Sequence, residues 1–286
     1  MQKPVFGIDQ TLDKENDEGN AKAFCVASIS EECAKALEQE GDEAEQTLER
    51  ARLSLPLRIL QYVSGIAALL IAAGILRADV GFAQGYQNAA WLYWLCGACA
   101  LVWLPLFVAS RQKSKAVLES EEARDNEREL EQALQQAYRE LGVPVQAADV
   151  DLLAFYYTVK DGKVKLAQKA LISYINVEMK IFVEGDRLCI TDAHERYEFP
   201  LSEICGIQTV SKRICVPFWN KQEPHNKEPY KKFKITTNNA GMIFFKPYHI
   251  LEIAHGGELW GIHFPCYELP VFEALTGHYA QAQPKR

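Results

Sequence analysis

Two uncharged apolar runs, residues 59–76 and 89–109, lie back to back in the first half of the chain. About 20 apolar residues in a helix cross the hydrocarbon core of a bilayer, where no water satisfies the backbone and a helix is the viable form. A buried hairpin of a soluble protein is the alternative, but buried helices are usually shorter and rarely lack charge for so long. A cleaved secretory signal is a poor match, because the first run follows a long acidic segment. The sequence therefore predicts an integral membrane protein with two spans.

Aromatic and small residues favour two packed transmembrane helices. Trp91 and Trp94 lie near the start of the second run and Trp103 near its end, as in the aromatic belts of membrane proteins. Gly65 in the first run and Gly97 in the second offer small surfaces for close helix contact. We expect the two spans to form a helical hairpin at residues 56–110.

Cationic residues at the outer ends of both runs predict the orientation of this hairpin. They are Arg50, Arg52, Arg58, Arg111, Lys113 and Lys115. The connecting loop has only Arg77, beside Asp79. Because cytoplasmic flanks carry the excess of Lys and Arg, we expect both termini in the cytoplasm and the chain in the inner (plasma) membrane of the cell.

Acidic charge is concentrated at the N-terminus. Residues 1–50 contain 13 Asp and Glu against 5 Lys and Arg, a net charge of −8, whereas the whole chain has −7, so the remaining residues carry +1. The polar composition of residues 1–29 predicts a disordered acidic arm. The net charge of the whole chain therefore gives no information about the C-terminal domain.

Two cytoplasmic helices are predicted beside the spans, at residues 30–55 and 111–142. Ser30 is a candidate N-cap of the first, and Gly142 followed by Pro144 ends the second. Both segments contain short heptad series of Leu and Ala. The two helices are expected either to pair as a short antiparallel coiled coil or to remain independent and solvated.

From residue 150 the pattern changes to β structure. Residues 174–183 alternate up to a turn at 184–186, and a second strand follows at 187–191. More short strands follow, and a helix at 267–276 closes the domain, with Phe272 and Leu275 expected to dock on the sheet. Some seven antiparallel strands and one helix predict a small, partly open barrel plugged by that helix, at residues 150–280. The fold class is an α+β membrane protein.

The order of elements from residue 174 to residue 276 resembles a known family. The segment FPLSEI at residues 199–204 leads into a long strand, and an aromatic helix ends the domain. This pattern resembles bacterial pleckstrin-homology-like (PH-like) domains attached to membrane helices, most of which are uncharacterised. The resemblance implies a β-barrel closed by a helix and supplies no catalytic residues. Residues 152–171, which include a Lys-rich turn, depart from the pattern and add a hairpin or helix outside the barrel.

Common catalytic and metal-binding motifs are missing from the sequence. There is no Gly-x-Ser-x-Gly elbow, no phosphate-binding Gly-rich loop and no His-Glu-x-x-His. His249, His255 and His263 are six and eight residues apart, which places them on different strands. Cys96 and Cys99 have a redox spacing, but inside a membrane helix this pattern favours small-residue packing. We predict no enzymatic activity, no metal and no cofactor.

A basic patch in the β domain is the candidate binding site. Two aromatic residues lie among its cations, and its members are Lys212, Arg213, Trp219, Lys221, Lys227, Tyr230, Lys231, Lys232 and Lys234. Near an anionic membrane surface each cation contributes about 1 kcal/mol of attraction. The alternative is a solvated hairpin without a ligand, whose lysines protect an exposed strand edge. Because no nucleic-acid-binding motif accompanies the patch, a nucleic-acid partner is not expected.

These patterns together predict a membrane-anchored binding or scaffold module. Its β domain is expected to recognise a protein partner, a second copy of the chain or the anionic membrane surface, besides the lipids around its spans. The alternative is an enzyme that acts on a membrane-proximal substrate. Perturbed polar residues in a deep pocket would favour the enzyme, and a groove-edged surface would favour binding.

Overall fold

The chain divides into two compact units. A computed structural model describes residues 2–9, 20–77, 82–160, 163–166, 174–217, 233, 235–237 and 242–281. The β unit consists of Met1–Glu31 together with Gln136–Arg286, and the helical unit consists of Glu32–Gln135. In sequence, the helical unit is thus an insertion into the β unit.

Five α-helices are described along the chain, four of them before the main β region. They are α1 (Glu31–Arg50), α2 (Leu55–Arg77), α3 (Phe82–Leu118), α4 (Glu121–Glu140) and α5 (Leu269–Thr276). Within α3, Ala89 has a non-helical backbone (φ −148°, ψ 45°) and separates a short first segment from the long apolar one. The predicted runs at 59–76 and 89–109 lie inside α2 and α3.

The helix predicted at residues 111–142 is two helices in the structure. α3 ends at Leu118, and the Ser120 hydroxyl accepts a hydrogen bond from the Ala123 N–H at 3.2 Å, which caps the start of α4. Serine is a favoured N-cap because its hydroxyl satisfies one of the free N–H groups of the first turn. The heptad pattern did not reveal this break, since the predicted series of Leu and Ala begins only at Ala123, inside α4.

α2 and α3 pack against each other, and of the small residues predicted to allow this, Gly65 lies at a close contact whereas a Cβ atom at Gly97 would meet nothing within 4 Å. A Cβ atom at Gly65 would lie 2.7 Å from the indole ring of Trp103, so only glycine admits the ring there. The Cys96 thiol donates to the Ala68 carbonyl at 3.6 Å. Gly65 precedes Ala68 along α2, whereas its partner Trp103 follows Cys96 along α3, so the two helices are antiparallel.

Polar side chains join α1 to α4. The Asn126 amide donates to the Thr47 hydroxyl at 2.9 Å, and Arg50 contacts Glu122 at 2.7 Å. Thr47 precedes Arg50 along α1, whereas its partner Asn126 follows Glu122 along α4. The two helices are therefore antiparallel. Of the predicted heptad series beside these polar contacts, Leu37 and Ala51 are buried, whereas Leu48 is 51% exposed. Pairing of the two helices as a coiled coil stays a prediction.

Most of the described strands are short. In the list that follows, the four longest are β4, β6, β13 and β14. The strands are β1 (Lys3–Pro4), β2 (Gly7–Asp9), β3 (Cys25–Ser28), β4 (Ala148–Lys160), β5 (Lys163–Leu166), β6 (Tyr174–Glu184), β7 (Arg187–Thr191), β8 (Glu195–Pro200), β9 (Ile204–Val210), β10 (Ile214–Pro217), β11 (Thr236–Thr237), β12 (Met242–Phe245), β13 (Tyr248–His255), β14 (Glu258–Pro265) and β15 (Ala280–Gln281). Short 3-10 helices lie at Asn20–Phe24, Leu201–Glu203 and Cys266–Glu268.

These strands form three largely antiparallel sheets. The first has the order β2-β4-β6-β7-β8-β3, with β5 also paired to β4; the second is β1-β14-β13-β9-β15; the third is β10-β12-β11. The predicted hairpin is present as β6 and β7, with Gly185 at a positive φ of 60° in its turn. The described strands do not close into a barrel. The fold is therefore α+β, with antiparallel sheets followed by a C-terminal helix.

The C-terminal helix docks on the second sheet, as predicted. Phe272 of α5 is fully buried, and its ring stacks on Phe264 of β14 with centroids 3.9 Å apart. Leu275 is partly buried against the same core. Gly277 has a positive φ of 70° and its N–H bonds to the Glu273 carbonyl, which ends the helix.

The N-terminal arm is part of the β unit. Instead of the predicted disorder, residues 2–9 and 20–28 contain three strands: β1 runs parallel to β14, β2 runs parallel to β4, and β3 is antiparallel to β8. Val5 and Phe24 are buried in the main core, at 0% and 4% exposure. Composition predicts disorder because it averages these few apolar residues with many charges, whereas folding buries them individually.

Candidate functional site

An apolar groove lies beside the C-terminal helix of the β unit. It has a volume of about 480 Å³ and runs between α5 and the neighbouring ends of β4 and β6. Its walls include Pro144 and Gln146 before β4, Ile181 and Val183 of β6, and Val271 and Leu275 of α5. Phe272 anchors the opposite face of α5 in the core, so the flanking side chains of the helix remain beside the opening. Val183 at the rim keeps 36% of its surface exposed.

The chemistry of the groove is apolar. Among the described residues that line it, Gln146 carries a polar side chain and none has a titratable one. Small-molecule and cofactor sites in proteins are typically concave and mostly apolar, with volumes of about 300 to 1,000 Å³. The groove can therefore accommodate an apolar group but offers no side chain for proton transfer.

A buried carboxyl group just before α5, Glu268, forms an acidic pair with the half-buried Asp151 of β4. Glu268 is 7% exposed and its carboxylate accepts the Asp151 N–H of β4 at 3.2 Å. The Tyr267 hydroxyl donates to the Asp151 carboxylate at 2.7 Å. These bonds attach the start of α5 to β4, and so they fix one wall of the groove.

Burial perturbs both carboxyl groups of this pair. It raises the pKa of Glu268 to about 8, and the charges of Asp151 and Asp149 act in the same direction, while the Asp151 N–H opposes them. Burial also raises the pKa of Asp151, against hydrogen bonds from Tyr267 and Asn176 that lower it. Glu268 is therefore mainly protonated at neutral pH. The hydrogen bonds of the pair connect β4 to the segment before α5. Neither Asp151 nor Glu268 is among the residues that line the groove.

Two residues of the predicted basic patch are described. Lys212 and Arg213 are exposed between β9 and β10. Arg213 donates to the Thr236 hydroxyl at 3.3 Å, and its guanidinium lies 4.9 Å from the centroid of the Phe244 ring. The other predicted members lie outside the described residues: Trp219, Lys221, Lys227, Tyr230, Lys231, Lys232 and Lys234. Whether these residues form one surface with Arg213 stays a prediction.

The prediction that His249, His255 and His263 lie on different strands is wrong for the first two, which are both on β13, while His263 is on β14. The three rings nevertheless have separate environments. His249 is 3% exposed and pairs with the Thr209 hydroxyl at 3.2 Å, and burial lowers its pKa to about 4. Burial also lowers the pKa of His263, to about 3. His255 contacts Glu203 at 2.8 Å. Their surroundings are those of one buried ring, one half-buried ring and one ring in contact with a carboxyl group.

One cluster on the first sheet has metal-binding side chains but already contains a cation. Glu184, Cys189 and Glu198 bring their ligand atoms within 4.8 Å of one another. The guanidinium of Arg196 lies among them, 2.8 Å from Glu198 and 3.3 Å from the Cys189 sulfur, and it also bonds to Glu184. Arg196 further donates to the Leu141 carbonyl at 3.1 Å. The cluster therefore links the end of α4 to the sheet through an arginine.

Sequence reasoning missed the groove, the acidic pair and the Arg196 cluster. Each joins residues that are far apart in the chain, such as Asp151 and Glu268, and no local motif marks them. A carboxyl group directly before an apolar helix with Pro270 at its start is a weak signal for Glu268 alone. Comparisons with protein-family models, with curated proteins and with solved structures give no match to this chain.

Proposed function

We propose that this chain is an integral membrane protein whose cytoplasmic β unit is a binding module. One observation carries the membrane part of the proposal. The most apolar stretches of α2 and of the Ala89–Leu118 part of α3 have mean hydropathies of 2.1 and 2.0. Only 6% and 0% of these two stretches, respectively, are buried inside the protein. Large exposed apolar surfaces are rare in soluble proteins and mark contact with a partner or a membrane. Two adjacent helices of spanning length favour the bilayer.

The orientation of the hairpin follows from its flanking cations. The Lys and Arg residues before α2 and after the apolar part of α3 lie at the same end, because the two helices are antiparallel. Cytoplasmic flanks carry such an excess. We therefore place both termini and the β unit in the cytoplasm, at the inner membrane.

A PH-like β unit is part of the proposal. Antiparallel strands followed by an apolar helix docked through Phe272 support it, as does the FPLSEI segment, which forms the end of β8 and the turn into β9. The N-terminal strands β1, β2 and β3 are additions to the pattern that suggested the resemblance. A PH-like domain would act here by recognition, since the resemblance supplies no catalytic group.

Binding agrees better with the groove than catalysis does. A hydrolytic or transfer enzyme needs positioned acid, base or nucleophilic side chains at the place where its substrate sits. The described lining of the groove has none, and the perturbed carboxyl groups of Asp151 and Glu268 are bonded to each other's segments. Among the described residues, the alternative of an enzyme acting on a membrane-proximal substrate is best supported by the raised pKa values of this pair.

The size of the groove favours a short peptide as its occupant. A stable dimer of folded proteins uses roughly 20 to 30 residues on each side. The described groove is lined by 10 residues. This is too few for a second folded copy but fits one or two apolar side chains of a peptide segment. We therefore assign the groove to an apolar peptide segment of a partner protein.

Site-specific photo-crosslinking in native membranes tests this assignment. A benzoylphenylalanine probe at Val183, on the rim, should give an adduct with another polypeptide, and Ala274→Trp should abolish it by filling the groove. The matched control is the same probe at Val26, which is 52% exposed on β3. An adduct between two copies of the chain, an adduct with lipid alone, or equal adducts from Val26 would contradict the peptide assignment.

Contact of Lys212 and Arg213 with the anionic membrane surface is a second candidate function. Both side chains are exposed, and a membrane tether would raise their effective concentration near headgroups. Even a weak attraction, a few kcal/mol from several cations, would then orient the β unit.

A further inference from the structure

Four cations surround one end of the helical hairpin. Arg52 directly precedes α2, Arg58 lies in its first turns, and Arg111 and Lys113 follow the apolar part of α3. The Lys113 ammonium donates a hydrogen bond to the Arg52 carbonyl at 2.7 Å, so the two segments are adjacent. The antiparallel register seen at Gly65 and Trp103 also sets Arg58 level with Arg111. We call these four residues the cationic collar.

The collar is not neutralised by carboxylates within the described part of the chain. The nearest ion pairs, Arg50 with Glu122 at 2.7 Å and Lys115 with Glu119 at 3.9 Å, involve cations outside it. The side chains of Arg52, Arg111 and Lys113 are exposed, and that of Arg58 is half-buried. Uncompensated cations this close together repel one another, and an anion between them would relieve the repulsion.

Aromatic stacking orients one member of the collar. Trp103, Phe107 and Arg111 are four residues apart and share one face of α3. The rings of Trp103 and Phe107 stack with centroids 5.1 Å apart, and the Arg111 guanidinium lies 5.0 Å from the centroid of Phe107. A cation–π contact uses the face of the guanidinium plane and leaves its N–H donors at the edge. Arg111 can therefore donate two parallel hydrogen bonds to a phosphate.

Apolar surface adjoins the collar on the side of the spans. Ile59 and Leu60, directly after Arg58, are 54% and 47% exposed, and Val108 on α3 is 44% exposed. A ligand that satisfies both surfaces has an anionic phosphate beside long apolar chains. A free phosphate or nucleotide would match the cations but leave the apolar side uncovered.

We propose that the cationic collar binds the headgroup phosphate of an anionic phospholipid, whose acyl chains lie along α2 and α3. This inference rests on the membrane hairpin proposed above and names the lipid class that the hairpin prefers. Arginine at three of the four positions suits bidentate contacts with phosphate, and Lys113 adds a point charge. The bound lipid would fix the depth of the hairpin in the cytoplasmic leaflet.

Native mass spectrometry of the full chain in a nonionic detergent tests the proposal. Phosphatidylglycerol and phosphatidylcholine with identical acyl chains are added in equal amounts, and the retained lipid is counted. Wild type should retain phosphatidylglycerol preferentially, and R52Q/R58Q/R111Q should lower that preference at least tenfold, because each cation contributes about fivefold. The matched control R124Q/R128Q/R139Q, which removes three exposed arginines of α4, should leave it unchanged. The single variant Arg111→Gln should lower the preference for phosphatidylglycerol about fivefold, and it tests the site even if the triple variant misfolds.

Equal retention of the two lipids by wild type, or an unchanged preference in R52Q/R58Q/R111Q, would overturn the inference. Displacement of phosphatidylglycerol by excess glycerol 3-phosphate would also overturn it, because the site would then be one for free phosphate. Alkaline extraction of cell membranes distinguishes a failure of the membrane hairpin from a failure of the lipid site at the collar. A chain released by alkali contradicts the membrane hairpin itself, whereas a retained chain without lipid preference contradicts the collar alone.

Discussion

Glu268 should make the stability of the β unit fall as pH rises above neutral. Burial raises the pKa of this carboxyl group from about 4.5 in the unfolded chain to about 8 in the fold. Between these values folding takes up a proton, so the free energy of unfolding decreases by about 1.4 kcal/mol for each pH unit. Below 4.5 both states are protonated, and above 8 the penalty is constant.

The useful pH window is set by the buried histidines. The pKa values of His249 and His263 are lowered to about 4 and about 3, so both rings are neutral in the fold and charge in the unfolded chain below about 6.5. They therefore destabilise the fold as pH falls below 6.5, which opposes the effect of Glu268. Above pH 6.5 their opposing effect fades over about one pH unit, because the unfolded rings lose their remaining protons there. From pH 6.5 to pH 8, Glu268 should lower the stability by about 1.6 kcal/mol and the two histidines should raise it by about 0.8 kcal/mol, so the stability should fall by a net of about 0.8 kcal/mol.

Urea unfolding of a joined fragment measures this effect. Residues 1–31 are connected to residues 136–286 by a short linker, which the 2.9 Å hydrogen bond between the Ser30 N–H and the Glu140 carboxylate makes feasible. Glu268→Gln keeps an acceptor for the Asp151 N–H but takes up no proton, so its stability should not fall between pH 6.5 and 8 and should rise by the histidine contribution of about 0.8 kcal/mol. Glu178→Gln, at an exposed position of β6, should keep the slope of the wild type. A wild type whose stability is constant or rises over this range, or a Glu268→Gln variant that keeps the slope, refutes the reasoning.

Three further predictions follow from the packing and the exposed charges. Phe24→Ala should destabilise the joined fragment by about 3 to 5 kcal/mol in urea unfolding, because it empties a buried site, whereas Val26→Ala on the exposed face of β3 should have little effect; equal effects would contradict a core role for the N-terminal strands. Gly65→Leu should separate α2 from α3 and reduce disulfide formation between Ala68→Cys and the native Cys96 in membranes, whereas Gly74→Leu, where a Cβ meets nothing within 4 Å, should not. In flotation with anionic vesicles at low salt, Lys212→Gln/Arg213→Gln should weaken binding of the joined fragment by about 1 kcal/mol per cation, and unchanged binding would exclude these two residues from the membrane contact.

Local patterns in the sequence predict the elements whose signals are local. Uncharged runs of spanning length identify α2 and α3, and a Gly-containing turn between alternating segments identifies the β6–β7 hairpin. The closing helix α5 follows from its apolar spacing and its early proline. Each of these signals lies within one element or two neighbouring ones.

Contacts between distant segments could not be predicted in this way. Lys3 pairs with Trp260 across most of the chain, and neither residue's neighbourhood marks the pairing. The groove forms because α5 packs next to β6, which is distant in the chain. The raised pKa of Glu268 results from the burial of its carboxyl group in the folded β unit. Composition also averages a few buried apolar residues such as Val5 into an acidic segment, which is why strands there were predicted as disorder.

The topology of the hairpin in cells tests the central claim most directly. A reporter that is active only outside the cytoplasm is fused after Arg286 in one chain and inserted between the two spans in another, at residues 83–87 in the short first segment of α3, and membranes are washed with alkali to confirm integration. We call the second chain the loop insertion. The account predicts signal from the loop insertion, none from the C-terminal fusion, and retention of both chains in the membrane. Signal from the C-terminal fusion with none from the loop would reverse the orientation, and release of the chain by alkali would contradict the membrane hairpin altogether.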